Sequence, residues 1–457
     1  MKKTIFVVAA LLPLLGCSAR ELRPVAVFEN SPRLEAVLEK RLSGDRTGAC
    51  FAGAVIERDE VERAYVCADE KDAGRIGPQT AFEIGSVSKT MAAALLAELI
   101  LEGKASLDDP LSAYLEDVEV PAFEGQPILL SHLVTHTAGL PPLPPGAPMV
   151  DPADPYASLD AESLLRSLAW TTLAHPPGTN FAYSNYGAML LSYAIGVRAG
   201  LPFDTLIRKR LFEPLGMGNA HLGAPPEGVV AAQGHLSTGH PTPAWNFDPR
   251  LAGVGGVRAT LDDMVAYVRG QLGRVEAPIV RALQKTHAPV REEAPKIGMN
   301  WLYTRTSTGE ILVHEGGTGG FSAFVGFDPE AGRGVVILSD TALAHLGGLS
   351  DVGLHLLDPS IPLGTPRRAV EPPAELVESL VGRYRFSVGA EMQLFVKEGV
   401  LHAQATGQPP FALGYDDRGE FYPLFFDARL LPRRSEDGGY SLIWFQGGGA
   451  LPAERVE

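Results

Sequence analysis

The sequence predicts a mixed α/β protein of the α+β kind. An antiparallel sheet is flanked by helices, a mostly helical insertion interrupts it, and a small all-β barrel follows at the C-terminal end. Strand-like apolar runs sit at 51–56 and 61–66, and return only at 311–315, 322–327 and 333–339. The region between them reads mostly as helix. Strands at both ends of such a region bury their faces by closing into one sheet. Beyond residue 373, short alternating runs recur every 8–12 positions between turn residues, the pattern of a small barrel.

From the N-terminal side, Ser31–Leu42 reads as an amphipathic helix. A hairpin over 49–67 follows, turning at Arg58 and Asp59. That turn sets Cys50 opposite Cys67 on a non-hydrogen-bonded pair, where Cα atoms come closest. A cross-strand disulfide is expected in an oxidising compartment, adding about 3 kcal/mol; two buried free thiols are the alternative. Ser86–Glu102 is a long Ala- and Leu-rich helix, and 128–135 and 160–170 are shorter ones. The loop LPPLPPGAP at 140–148 cannot be helical. Helical patterns resume at Asn185–Arg198, Phe203–Leu211 and Thr260–Leu272, the last opened by Thr260 and Asp263 as a capping box. Five prolines mark 358–373 as a linker. The runs starting at Tyr384, Met392, Leu401, Glu420 and Tyr440 then build the barrel.

The chain opens with Met1, Lys2 and Lys3 and stays apolar from Thr4 to Gly16. This run is shorter than the roughly 20 residues a spanning helix needs, and fits an export signal. It ends Leu14, Leu15, Gly16, Cys17, which resembles a bacterial lipobox. The resemblance implies lipidation of Cys17 and, with Ser18 rather than Asp following, the periplasmic face of the outer membrane. An ordinary signal peptide with a chance cysteine is the alternative; either one exports the chain. The expected division is a signal peptide at 1–16, a main domain at 17–357, a linker at 358–373 and a barrel at 374–457.

Composition narrows the function. With 45% hydrophobic and 20% charged residues, the chain is a folded globular protein. A net charge of −15 argues against nucleic acid, which needs a basic face. Three cysteines exclude an all-cysteine metal site. His132 and His136 lie four apart on an expected helix, but no third ligand is evident, so no metal is expected.

Three motifs carry chemistry. Ser86 and Lys89 stand one turn apart at a helix start, where the amine can take the hydroxyl proton and the helix N-terminus favours an oxyanion. Alone, this pair reads better as a serine N-cap with a solvated lysine. Tyr183 and Asn185 follow about 100 residues on. A tyrosine near a lysine can be held as phenolate or can shuttle a proton, and an asparagine amide suits a peptide-like substrate. Alone, they read as a turn with a core tyrosine. His314, Glu315, Gly316 and Gly317 end an apolar strand, and such glycines let a substrate lie flush against the backbone. Alone, they read as a glycine turn.

In this order and spacing, the three motifs resemble the serine β-lactamase and penicillin-binding peptidase superfamily, in particular its class C β-lactamase and D,D-peptidase branch. The likeness covers roughly 30–345 and includes FEIGSVSK at 82–89, LVTHTAGLP at 133–141 and LFEPLGM at 211–217. It implies an acyl-enzyme mechanism without cofactor. Ser86 would be the nucleophile, Lys89 and Tyr183 the proton handlers, and Asn185 the holder of the acyl-side amide. His314 would stand where lysine is usual, with Gly316 beside it. The oxyanion would be held by the N–H groups of Ser86 and Gly317. The barrel resembles the lipocalin-like domain that some of these hydrolases append.

Two departures bear on substrate. Glu315 replaces a usual hydroxyl residue and either enters the cleft or points to the far side of its strand. His314 carries less charge than a lysine at pH 7. The expectation is a monomeric hydrolase of β-lactam or D-alanyl peptide bonds, taking a small-molecule or peptidoglycan-derived substrate and touching the membrane only through its lipid. A carboxylesterase and a non-catalytic cell-wall-binding or sensor lipoprotein are the alternatives.

Overall fold

The computed structural model describes residues 28–456 apart from 46, 116–117, 148–149, 365–367, 387–389, 407–409, 425–427, 436–437 and 447–448. The signal segment and Cys17 lie outside the described residues.

Helix α1 (Pro32–Leu42) precedes strands β1 (Cys50–Glu57) and β2 (Glu60–Cys67), which pair as a hairpin. Arg58 takes a φ of 53° at the turn. Cys50 stands opposite Cys67 in this register, and a disulfide joins them. β1 also pairs antiparallel with Arg333–Ser339, so the two ends of the main region do meet. The order continues through Ser322–Asp328 and Glu310–Gly317 to Leu302–Arg305, giving six antiparallel strands.

Side-chain alternation splits this sheet between two cores. Ala52, Ala54, Ile56, Val325, Phe327 and Leu338 face the helical insertion. Phe51, Val55, Phe324, Val335 and Ile337 face α1 and the helix Ser350–Leu357. A sheet covered on both faces needs continuous apolar strands, which is why β1 is buried from Cys50 to Ile56.

Helix α2 (Ser88–Leu101) lies inside the insertion, with every residue from Ser88 to Ala97 buried. Its sequence is apolar all round, as a helix with no solvent face must be. The expected helix start at Ser86 is displaced: Gly85–Val87 is a 3₁₀ turn and the α-helix begins at Ser88. Gly85 has a φ of +51°, so the chain enters the helix through a tight turn that carries Ser86. Asn185–Ala199 and Leu261–Gln271 form as expected, and Thr260 and Asp263 cap the latter reciprocally. The expected 203–211 helix becomes α-helical at Phe203–Ile207 and then widens to a π-turn at Arg208–Phe212.

Among the described residues, eight strands from Gly382–Phe386 to Gly449–Arg455 close into the C-terminal barrel. Leu380, Tyr384, Leu394, Leu413, Phe421 and Leu430 belong to its own apolar core. Tyr422 and Leu424 instead join the core on the outer face of the main sheet. The barrel is therefore docked on the main region through Tyr422 and Leu424, with Ala412 of a neighbouring barrel strand packed beside them.

Candidate active site

Two glycines bring the Ser86 turn against the end of the Glu310–Gly317 strand. A Cβ on Gly316 would sit 1.9 Å from the Ile84 carbonyl oxygen and 3.1 Å from the Ser86 nitrogen. A Cβ on Gly85 would sit 2.6 Å from the Gly317 nitrogen. Real Cβ contacts do not reach these distances, so only glycine permits the approach. The short strand Thr80–Glu83 leads into this turn and is held by pairing with Arg258–Thr260.

Lys89 projects from the first turn of α2 back to Ser86. Its Nζ donates to Ser86 Oγ at 2.8 Å and to the Val254 carbonyl at 2.6 Å. The residue is 1% exposed, and burial pulls its pKa down to about 7. Burial disfavours an ammonium with no carboxylate beside it. At neutral pH a large fraction of Lys89 is thus a free amine in contact with a hydroxyl.

Tyr183 completes the cluster, with Lys89 Nζ 5.1 Å from its ring centre. The ring is open along part of its surface, yet the burial of its surroundings raises the phenol's pKa, with the Ser86 hydroxyl opposing in part. Of the two states the sequence left open, the neutral phenol is the one these surroundings favour. The His136 ring lies against Tyr183 at 4.3 Å between centroids.

His136 does not share a helix face with His132. The helix ends at Val134, and His136 takes a φ of 55° in the left-handed region. Its Nδ1 accepts the Ser184 N–H at 3.2 Å, whereas the His132 Nδ1 accepts the Leu129 N–H. Burial, then the Lys89 charge, hold the His136 pKa well below the ordinary histidine range. This neutral ring supports Tyr183 from behind. In the sequence His136 stood out only as part of the LVTHTAGLP stretch and as a partner for His132 four residues earlier, not as a support for Tyr183.

His314 is buried, and burial brings its pKa down to about 4. Its Nδ1 lies 2.6 Å from the Glu315 carbonyl oxygen. It is neutral at pH 7, so this position supplies no fixed cation. Glu315 turns away: its Oε1 accepts the Leu349 N–H at 3.0 Å, on the side of the sheet opposite Ser86.

Asn185 opens its helix with its Nδ2 donating to the Tyr156 hydroxyl at 3.0 Å. Its buried Oδ1 has no partner among the described residues. Tyr156 stacks on Phe247 at 4.9 Å and meets Trp245 edge-on at 5.3 Å. A narrow cleft with a cavity volume of about 30 Å³ runs between these aromatics, Ser86, Asn185, Val254, Gly255, Gly317 and Thr318. The three aromatics were not singled out in the sequence. They lie in loops without a periodic pattern, and only their clustering in space makes a wall. Among the described residues that line the cleft, none is an acidic or basic residue.

The arrangement is a hydroxyl with an adjacent amine that is in large part free at neutral pH, a phenol within reach, and backbone at a helix N-terminus. It can deprotonate and use a serine nucleophile. Comparison with known proteins agrees. The chain matches the Beta-lactamase family over residues 34–348. It is 28% identical over 315 residues to the D-alanyl-D-alanine-carboxypeptidase/endopeptidase AmpH of Escherichia coli (strain K12), covering 64% of this chain and 79% of that one. It is 28% identical over 325 residues to a beta-lactamase of Pseudomonas fluorescens, covering 63% and 87%. The crystal structure of an octameric penicillin-binding protein homologue from Pyrococcus abyssi shares the fold at 19% identity and a TM-score of 0.58, over 93% of this chain and 96% of that one. Its coverage extends the likeness through the barrel. The chain is a serine hydrolase belonging to the β-lactamase family.

Proposed function

We propose that the chain hydrolyses β-lactam or D-alanyl peptide bonds through an acyl-enzyme on Ser86. The observation that carries this is the 2.8 Å contact between Ser86 Oγ and a buried Lys89 whose pKa lies about 7. Lys89, as free amine, takes the hydroxyl proton while Oγ bonds to the substrate carbonyl carbon. The N–H groups of Ser86 and Gly317 receive the oxyanion. Tyr183 gives its proton to the departing nitrogen as the C–N bond breaks, and recovers one from Lys89. Water then bonds to the acyl carbon as the same pair takes its proton, and the pair returns a proton to Ser86 Oγ as the Oγ–C ester bond breaks. Asn185 holds the acyl-side amide, and Gly316 lets the strand edge lie against the substrate. The names of the relatives, a carboxypeptidase/endopeptidase and a beta-lactamase, support this substrate class. A fluorescent penicillin should label the full chain covalently and fail to label Ser86→Ala.

A second reading, a carboxylesterase on the same scaffold, is favoured by the uncharged cleft. Neutral His314 and averted Glu315 leave nothing fixed there to bind a substrate carboxylate. Turnover of nitrocefin, a D-Ala-D-Ala peptide and a short p-nitrophenyl ester separates the two; rapid turnover of the ester alone selects the esterase.

We further propose export, anchoring through lipidated Cys17, and action as a monomer; the basic and apolar start of the chain supports the first two. Among the described residues no single helix is long and apolar enough to cross a membrane. The division into 17–357, a 358–373 linker and a 374–457 barrel is supported by a helix ending at Leu357, another starting at Ala374, and the barrel's own core.

A further inference from the structure

A small hairpin links the barrel to the cleft. Strands Gly234–His235 and Pro241–Thr242 pair, and the turn between them is closed by Leu236 N–H to His240 O and Gly239 N–H to Leu236 O, both 2.8 Å. At its outer end, the Ser237 hydroxyl lies 3.1 Å from the Tyr422 hydroxyl of the barrel, and both residues are buried. The Tyr422 ring is itself seated on Gly414, where a Cβ would come within 2.5 Å of it. The barrel thus offers the hairpin a fixed, buried hydroxyl.

At its inner end, the hairpin meets the glycine turn that follows Gly317. The His235 N–H donates to Gly320 O at 3.1 Å and to Asp340 O at 2.9 Å. A Cβ on Gly320 would lie 2.6 Å from Thr242 Cγ2 and 2.7 Å from Gly234 Cα. A Cβ on Gly319 would lie 2.7 Å from Trp245 Nε1. The chain leaving the hairpin carries Trp245 and Phe247, two sides of the aromatic wall. Its course is fixed by Trp245 N–H donating to Glu83 Oε1 at 3.0 Å. The hairpin therefore touches the barrel at its tip and, at its base, the glycine turn that follows Gly317, which in turn packs on Trp245 of the substrate wall.

We propose that the barrel is a working part of the hydrolase: Tyr422, through Ser237, holds the 234–242 hairpin so that Trp245 and Phe247 select the acyl group. Tyr422 is a positioning residue and touches no substrate. This inference rests on the serine hydrolase reading of the cleft. A loosened hairpin shifts the wall before it shifts Ser86 and Lys89, because Lys89 is rooted in α2 and the Ser86 turn is clamped at Gly85 against the Gly316–Gly317 strand end. Binding of a bulky acyl group is then affected more than chemistry.

The test uses the full chain with Tyr422→Phe, Ser237→Ala, the double variant, and Ser237→Thr, which keeps the hydroxyl. Steady-state kinetics on p-nitrophenyl acetate and p-nitrophenyl phenylacetate compare a small acyl group with an aromatic one. Each single variant should raise KM for the phenylacetate roughly three- to tenfold and keep kcat for the acetate within about twofold. The double variant should be no worse than either single, because one contact is lost in all three. Ser237→Thr should restore the wild-type preference. Equal effects on both esters, no effect, or additive losses in the double variant overturn the proposal. If Tyr422→Phe does not fold, Ser237→Ala and Ser237→Thr decide the matter from the other side of the contact. Ser86→Ala keeps the two questions apart: retained ester turnover in it overturns the hydrolase reading, while its loss beside an unselective Tyr422→Phe overturns only the role of the barrel.

Discussion

Gly316→Ala should disable the enzyme while its neighbour Gly317→Ala does not. The new Cβ at 316 would stand 1.9 Å from the Ile84 carbonyl oxygen, a backbone atom that cannot rotate away. Carbon–oxygen packing needs at least about 3 Å, so the strand end and the Ser86 turn must part by roughly 1 Å. A displacement of that size between reacting groups costs about a hundredfold in rate. Loss of one oxyanion donor costs a further hundred- to thousandfold when it is complete. We expect kcat/KM to fall roughly 10²- to 10³-fold, with overpacking destabilising the fold by about 1–3 kcal/mol. At Gly317 the nearest atoms to a Cβ are the Phe321 carbonyl oxygen at 3.8 Å and the Ala344 Cβ at 3.9 Å, so alanine fits and the N–H stays. That variant should lose less than about tenfold. The assay is ester or nitrocefin turnover on both purified variants, with thermal unfolding to show that each is folded. A folded Gly316→Ala enzyme within tenfold of wild type refutes the claim that this contact sets the site.

Three further outcomes follow from the same structure. Stability should drop on acidification between pH 6.5 and 4: the folded-state pKa of His314 lies below its unfolded value, so the unfolded chain binds more protons in that window. The lowering of His314 to about 4 corresponds to about 3 kcal/mol, His136 acts in the same direction, and the gap between urea midpoints at pH 7 and pH 4.5 should narrow in His314→Gln. Replacing both Cys50 and Cys67 by alanine should lower unfolding free energy by about 3 kcal/mol, as expected for a loop of this length, with activity retained in the folded fraction; an unchanged urea midpoint contradicts this. Tyr156→Phe removes the hydroxyl that orients the Asn185 amide, so KM for an amide or lactam substrate should rise roughly three- to tenfold with little change in kcat, and a fall in kcat alone would contradict the assignment.

The sequence was most legible where one physical rule acts alone. Turn pairing about Arg58 and Asp59 gave the Cys50–Cys67 register, and two-sided burial made the main strands apolar enough to find. The SxxK spacing was legible because one helical turn suffices to bring Lys89 to Ser86. Other features depend on tertiary contacts that no local pattern encodes. The 3₁₀ turn at Gly85–Val87 exists because Gly85 must admit Gly317, more than 200 residues away. The left-handed His136 breaks a helix that spacing alone would continue. Tyr156, Trp245 and Phe247 come from irregular loops and meet only in the folded chain. Glu315 was ambiguous because alternation fixes two faces without saying which is the cleft; its bond to Leu349 decides it. In the barrel, three of the eight strands escaped notice, among them Phe411–Tyr415 and Arg429–Arg434, whose alternation is diluted by Gly414 and Pro432.

The central claim is that Lys89 works as a free amine on Ser86. The most direct measurement is the pH dependence of the single-turnover rate at which a fluorescent penicillin or an activated ester acylates Ser86. The rate should rise tenfold per unit at acid pH and level off above about 7, following deprotonation of Lys89. A rate that keeps climbing to pH 10, as an ordinary exposed lysine would dictate, contradicts it.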